Sequence, residues 1–203
     1  MPLPDVSRGK KDWIGRWLLA GWATVALVVI AALSVKHLAP LPEPDDAALL
    51  TRAALQLRHS PNEDFLVHVI YADCSCARAL FSHLVARGPF PGAEELILFV
   101  GADAAKQAAA ERSGFEFTTI SAQDLTTRFG LEAAPVLIVF DPAGKLMYAG
   151  GYYAHPATID PMDERIYAQL AAAGKVEPLP VFGCAVSARL QKSLDPLRLD
   201  HAK

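Results

Sequence analysis

The chain has 203 residues, 52% of them hydrophobic, and a net charge of −3. This length accommodates one compact domain with additional segments, and the near-neutral charge excludes a broad cationic surface for nucleic acid. The sequence also lacks a phosphate-binding glycine loop and an HExxH zinc motif. We therefore expect neither a nucleic-acid partner nor a cofactor.

The first element in chain order is an apolar run, residues 17–35, with nineteen consecutive positions that carry no charge. That length spans the core of a bilayer, whereas the apolar part of a cleaved signal peptide usually has about 7–15 residues. A buried core helix is the other alternative, but no charged residue interrupts the run on any face. We expect an uncleaved transmembrane helix.

The charges around this run predict its orientation. Basic residues precede it, and acidic residues follow it after Lys36: Arg8, Lys10, Lys11 and Arg16 on one side, Glu43, Asp45 and Asp46 on the other. The positive-inside rule then keeps residues 1–16 in the cytoplasm and places the rest of the chain across the membrane. In a bacterium the helix would lie in the inner membrane and the rest of the chain in the periplasm, where disulfides form and persist.

Residues 36–44 contain three prolines, which predict a stiff linker. A domain over residues 45–173 follows, with helical and strand-like patterns in alternation. The predicted strands are 65–71, 96–100, 115–120, 136–140 and 146–152, and the predicted helices lie within 45–60, 74–88, 103–112, 121–130 and 157–173. Asp45 and Asp46 can cap the first of these helices, and Ser121 with Asp124 fits a capping box at the start of the fourth. The last two strands form a hairpin through the turn at 141–145. This order predicts an α/β fold with a mixed sheet covered by helices.

Two of the three cysteines, Cys74 and Cys76, stand where the first strand passes into a helix. A thiol at the first turn of a helix faces the positive end of the helix dipole, which favours the reactive thiolate. The third cysteine, Cys184, lies in a C-terminal extension, residues 174–203. The ten residues after Gly174 could span about 30 Å, enough for Cys184 to return to the other two. Gly183 would then allow a tight backbone approach.

The chain resembles the thioredoxin superfamily, and more narrowly its membrane-anchored, TlpA-like periplasmic branch. Two features carry the resemblance: the strand, cysteine and helix of residues 65–87, and Ala133-Ala134-Pro135 directly before the hairpin. The resemblance implies a thioredoxin-like fold in which Pro135 is cis and packs beside the cysteines. It also implies that a substrate chain pairs with the backbone at Ala134.

The cysteine motif departs from the family pattern, Cys-x-x-Cys followed by a basic residue. If Arg78 matches that basic residue, Cys74 takes the nucleophile position, Ala77 the usual resolving position, and Cys76 is displaced by one. Arg78 could stabilise the Cys74 thiolate. The resolving partner of Cys74 is either Cys76 or Cys184, and a disulfide within Cys-x-Cys would be strained and oxidising.

We therefore expect a membrane-tethered thiol–disulfide oxidoreductase or isomerase that acts on protein thiols. Its catalytic residues would be Cys74, Cys76, Cys184 and Pro135, with Ala134 and Arg78 in substrate binding. One alternative is a Cu(I)-binding module in which Cys184 or His155 completes the cysteine pair. Another is an interaction domain that keeps the fold without activity. Of the other histidines, His68 is expected to be buried and hydrogen-bonded, and His83 to face solvent.

Overall fold

The chain forms two compact units, Met1–Leu38 and Ala39–Lys203. The computed structural model describes residues 7–44, 46–156, 158 and 160–194, and the side chains at 7–12, 31–38, 75 and 76 lie outside the described part. The first unit contains helix α1 (Ser7–Leu38). Its stretch Trp13–Ile30 is long and apolar enough to cross a membrane, and none of it is buried. Membrane spans and signal sequences share this character.

The second unit alternates strands and helices, as the sequence predicts. Its helices are α2 (Ala47–Leu55), α3 (Ser75–Arg87), α4 (Ala104–Arg112), α5 (Ala122–Phe129), α6 (Asp163–Ala173) and α7 (Ala188–Leu194). Its strands are β1 (Asp64–Tyr71), β2 (Ala93–Val100), β3 (Glu116–Ile120), β4 (Ala133–Ala134), β5 (Val136–Phe140), β6 (Leu146–Gly150) and β7 (Cys184–Ala185).

Five strands form one mixed sheet in the order β3-β2-β1-β5-β6. Strands β1, β2 and β3 are parallel, while β5 runs antiparallel to β1 and β6 antiparallel to β5. The central strand β1 is buried along almost its whole length, because helices cover both faces of the sheet. This is the α/β fold with a mixed sheet covered by helices that the sequence predicts, and it brings the carboxyl end of β1 to the start of α3.

Side chains at the helix starts fix where the elements begin. The Asp46 carboxylate accepts hydrogen bonds from two backbone N–H groups at the start of α2, and Asp103 does the same for α4. Ser121 caps α5 as predicted, because its hydroxyl accepts a hydrogen bond from the backbone N–H of Asp124. The Asp124 carboxylate accepts from the Ser121 hydroxyl at 2.7 Å. The neighbouring Asp45, predicted as a second cap of α2, lies outside the described residues.

The core has two layers, one on each face of the sheet, because alternate side chains of β1 point to opposite faces. Phe65, Val67 and Val69 belong to one layer, and Leu66 and Ile70 to the other. The first layer also contains residues from both ends of this unit: Leu41, Val181, Ala185, Val186 and Leu190. The segment after α6 is therefore part of the hydrophobic core.

Strands β4 and β7 and helix α7 are elements that the sequence analysis does not predict. Strand β7 pairs antiparallel with β4, with Cys184 opposite Ala134 and Ala185 opposite Ala133. Each strand has only two residues, too few to give a periodic pattern. Their pairing joins the C-terminal segment to the residues directly before β5.

Candidate functional site

Cys74 is the residue that links β1 to α3. Its backbone is extended and it occupies the N-cap position of α3, where its carbonyl accepts a hydrogen bond from the N–H of Ala77 at 3.2 Å. The unpaired N–H groups of the first helical turn give this end of α3 a partial positive charge. Cys74 is buried, with 4% of its surface exposed.

A disulfide joins Cys74 to Cys184 in β7, across 110 residues of sequence. The two Cα atoms are 5.7 Å apart, a usual distance for a disulfide. Of the two pairings that the sequence leaves open for Cys74, the structure contains the one with the distant cysteine. Cys184 is partly exposed, so it is the more accessible member of the pair.

Cys76 and Arg78 lie in the first turn and a half of α3. The backbone of Cys76 is helical, but its side chain lies outside the described part of the chain. The side chain of Arg78 is exposed. The redox role of Cys76 and the part of Arg78 in thiolate stabilisation or substrate binding stay predictions.

Pro135 follows a cis peptide bond from Ala134, which confirms the isomer expected from the resemblance. Its neighbour Ala134 is fully buried and pairs with Cys184 across the β4–β7 ladder. Gly183 lies against both residues: a Cβ there would clash with the carbonyl oxygen of Ala134 and lie 2.5 Å from Cδ of Pro135. The fold thus brings Cys74, Cys184, Ala134 and Pro135 to one place.

Residues 178–187, which we call the C-terminal arm, are tied to the domain on several sides. The N–H of Leu41 donates to the carbonyl of Val181 at 2.8 Å, and the N–H of Gly151 donates to that of Leu179 at 2.8 Å. Beyond Cys184, the N–H of Val186 donates to the carbonyl of Glu132 at 2.7 Å. These bonds hold the arm in the position that brings Cys184 to Cys74.

Tyr148 holds the same arm through its side chain. Its hydroxyl donates to the carbonyl of Gly151 at 2.7 Å and accepts from the N–H of Leu179 at 3.1 Å. Burial raises the pKa of Tyr148 to about 12, although the bond from Leu179 lowers it. Sequence reasoning missed this anchor. The available signal was the pair Gly150-Gly151 after the hairpin, since a Cβ at Gly151 would lie 3.1 Å from Cα of Val181.

A network of charged side chains is buried on the α3 side of the sheet. Nε2 of His68 lies 2.6 Å from Oε2 of Glu95, and Nδ1 of His68 lies 2.7 Å from the hydroxyl of Tyr152. This confirms His68 as a buried, hydrogen-bonded histidine. The guanidinium of Arg87 donates to both oxygens of Glu95, at 3.1 and 2.8 Å. Burial alone would raise the pKa of Glu95, but hydrogen bonds from His68 and Arg87 outweigh it and lower the pKa to about 2.

The expectation that His83 faces solvent is wrong. Its Nε2 lies 2.9 Å from Oδ1 of Asp163, and only 25% of the side chain is exposed. The same carboxylate pairs with Nε of Arg87 at 3.1 Å through its other oxygen. Asp163 begins α6, so contacts between α3 and α6 draw His83 inward, which no pattern within α3 indicates.

The Cu(I) alternative requires a group of soft ligands. Among the side chains that the structure describes, no group of three or more His, Cys, Asp or Glu could hold a metal ion. Cys184 is joined to Cys74 in this structure, and His155 lies in the loop after β6. Among the described side chains, which do not include that of Cys76, no observation favours copper binding over thiol chemistry.

Comparisons with known proteins give structural likenesses only. No protein-family model and no curated protein matches the sequence. Similar solved structures include a hypothetical protein from Sinorhizobium meliloti 1021, with 19% identity and a TM-score of 0.46 over 64% of this chain and 82% of that one. An uncharacterized conserved protein from Geobacillus kaustophilus has 18% identity and a TM-score of 0.47 over 62% and 77%. A secreted disulfide oxidoreductase of Mycobacterium tuberculosis, described as homologous to E. coli DsbE, has 14% identity and a TM-score of 0.39 over 53% and 82%.

Proposed function

We propose that this protein is a membrane-tethered thiol–disulfide oxidoreductase that exchanges its Cys74–Cys184 disulfide with thiols of client proteins. The observation that carries the proposal is the disulfide itself: its Cys74 end sits at the N-terminus of α3, and its Cys184 end pairs with Ala134, directly before the cis Pro135. Disulfide exchange proceeds through the thiolate, and a helix N-terminus favours that form. A purely structural disulfide has no need of such a position.

The exchange runs in two steps. In the reduced protein the Cys74 thiolate attacks one sulfur of a client disulfide, which forms a Cys74–client disulfide and releases the other client sulfur as a thiolate. The Cys184 thiolate then attacks Cys74 Sγ, which restores the Cys74–Cys184 bond and releases the client as a dithiol. Two electrons pass from the protein to the client, and the reverse sequence oxidises the client.

The other site residues have supporting roles in this proposal. Ala134 offers its backbone to the client chain, Pro135 shapes the groove, and Arg78 stabilises the Cys74 thiolate and contacts the client. Cys76 is a second resolving thiol in the first turn of α3. Its proximity in sequence allows it to attack a Cys74–client disulfide when Cys184 is not in place.

The cellular arrangement is part of the same proposal. Residues 17–35 anchor the protein in a bacterial inner membrane, with residues 1–16 in the cytoplasm and residues 36–44 as the linker. The thioredoxin-like domain of residues 45–173 and the extension of residues 174–203 then face the periplasm, where client disulfides persist. The exposed apolar side chains of α1 support this arrangement.

The test is a redox titration of the full-length chain in detergent, over a series of glutathione buffers, with alkylation of free thiols and peptide mass spectrometry. We expect reversible two-electron oxidation and a linked peptide pair that contains Cys74 and Cys184. Cys76→Ser should titrate like the wild type, while Cys184→Ser should lose that transition. If all three thiols stay reduced until harsh oxidation, the proposal fails.

A further inference from the structure

The backbone edge at which a client strand would bind already has an occupant, the chain's own strand β7. We propose that a client replaces β7 on Ala134, so that the Cys74–Cys184 disulfide and a bound client strand exclude each other. We further assign to this site a preference for clients with glycine directly before the reactive cysteine. The inference rests on the proposed function.

The backbone edge of β4 that a client would use is occupied by β7. Strand β4 consists of Ala133 and Ala134, and their antiparallel partners are Ala185 and Cys184. One edge of a strand accepts one partner strand, because its N–H and C=O groups each point in fixed directions. A client chain can therefore pair with Ala134 only where residues 184 and 185 have left it.

The space in front of Ala134 and Pro135 is narrow. A Cβ on Gly183 would clash with the carbonyl oxygen of Ala134 and lie 2.5 Å from Cδ of Pro135. These obstacles are backbone and a proline ring, which cannot rotate away as a flexible side-chain end does. A client strand that takes the register of β7 meets the same obstacles. The residue before its cysteine must then lack a side chain.

The segment that has to move when a client binds is short. Val181 and Val186 are fully buried or nearly so, and each has a backbone hydrogen bond to the domain. Between them, Phe182, Gly183 and Cys184 are partly exposed, and Ala185 is buried where it pairs with Ala133. The arm is therefore fixed on both sides of a short segment, residues 182–185, whose covalent attachment is the disulfide. Reduction can release this segment without displacing the rest of the arm.

Low-molecular-weight thiols, such as glutathione, supply the electrons for that release. A first thiolate attacks Sγ of Cys184, the more exposed sulfur-bearing residue of the pair, and Cys74 leaves as a thiolate. A second thiolate attacks the sulfur of the small thiol, which frees Cys184 and yields the disulfide of the small thiol. The reduced protein then binds and reduces a disulfide-bearing client, while the oxidised protein offers its β4 edge to a client strand only after a thiolate has opened the disulfide.

The test uses two synthetic peptides and the full-length chain in detergent. One peptide has the sequence of residues 178–187 with its cysteine activated by 5-thio-2-nitrobenzoate, and the other has alanine in place of the glycine. The protein carries Cys76→Ser and Cys184→Ser, so that Cys74 is its sole thiol. Attack of Cys74 on the peptide sulfur forms a protein–peptide disulfide and releases the coloured aromatic thiolate, whose absorbance gives the rate.

We expect the glycine peptide to react at least ten-fold faster than the alanine peptide, after each rate is divided by the rate of the same peptide with glutathione. Equal normalised rates would overturn the specificity. Hydrogen exchange of the wild-type chain is the second measurement, since it needs no substitution. Reduction should speed the exchange of the amides at 183–185 at least ten-fold and leave the amide of Val186 protected. Unchanged exchange at 183–185 would overturn the exclusion of clients by β7.

These results separate the inference from the proposed function. If glutathione oxidises and reduces the Cys74–Cys184 pair reversibly but the two peptides react alike, the function stands and the specificity is wrong. If no pair titrates, the function fails and the inference fails with it.

Discussion

Removal of Cys184 should destabilise the second unit strongly, because the disulfide closes a long loop. The two cysteines are 110 residues apart in sequence, and the loop-entropy relation gives about 5 kcal/mol for a loop of that length. Engineered disulfides commonly deliver less, so a loss of about 2–5 kcal/mol is expected for Cys184→Ser. A disulfide between Cys74 and Cys76 would close a loop of only three residues, for which the same relation gives about 1.6 kcal/mol.

The assay is urea unfolding of the full-length chain in detergent, followed by far-UV circular dichroism. Tryptophan fluorescence is unsuitable, because all three tryptophans, Trp13, Trp17 and Trp22, belong to α1. With a denaturant slope of about 2 kcal/mol per molar urea, the midpoint of Cys184→Ser should fall by about 1–2.5 M relative to the oxidised wild type. The same loss should follow from adding a reductant to the wild type.

Cys76→Ser is the matched control, since it removes a neighbouring thiol and leaves the Cys74–Cys184 bond. Its midpoint should stay much closer to the oxidised wild type than to Cys184→Ser, because the long loop between Cys74 and Cys184 stays closed. A midpoint for Cys184→Ser that equals the oxidised wild type would refute the reasoning. So would a loss in Cys76→Ser as large as that in Cys184→Ser, because it would assign the stabilising disulfide to the other pair.

Three further predictions concern the buried network and the arm. The pKa of Glu95 is lowered from 4.5 to about 2, so its ionised form contributes roughly 3 kcal/mol to the free energy of unfolding above pH 4.5, and this contribution is lost as the pH falls towards 2. Urea unfolding across this pH range should show the loss. The exposed control variant Glu177→Gln should show the same pH-dependent loss as the wild type. Tyr148→Phe leaves the N–H of Leu179 without its hydroxyl partner, which should lower the free energy of unfolding by about 1–3 kcal/mol in the same assay. It should also speed the hydrogen exchange of the backbone amides in the arm. Gly183→Ala should prevent closure of the Cys74–Cys184 disulfide, measured by alkylation in oxidising glutathione buffer. The control Glu177→Ala, at the position just before the arm, should oxidise normally, and full oxidation of Gly183→Ala would contradict the close contact with Ala134 and Pro135.

Local chemistry in the sequence determines most of the secondary structure of this protein. The branched and aromatic residues of β1 predict a strand buried on both faces, and Ser121 with Asp124 predicts the start of α5. The turn at 141–145 predicts the hairpin of β5 and β6, because Asp141 and Gly144 supply its turn chemistry. These signals lie within a few residues of the structure that they specify. The sequence alone therefore predicts the alternating order and places Cys74 at the start of a helix.

Only the tertiary structure decides which residues join Cys74 at the site. The pairing with Cys184 and the contact of Gly183 with Ala134 connect parts of the chain far apart in sequence, and no local period encodes them. They follow from the burial of Val181 and Val186, whose removal from water holds the arm against the sheet. The hydrogen bond between His83 in α3 and Asp163 in α6 likewise joins distant parts of the chain. The sequence pattern of a segment predicts its secondary structure, whereas the packing between segments determines which distant residues come into contact.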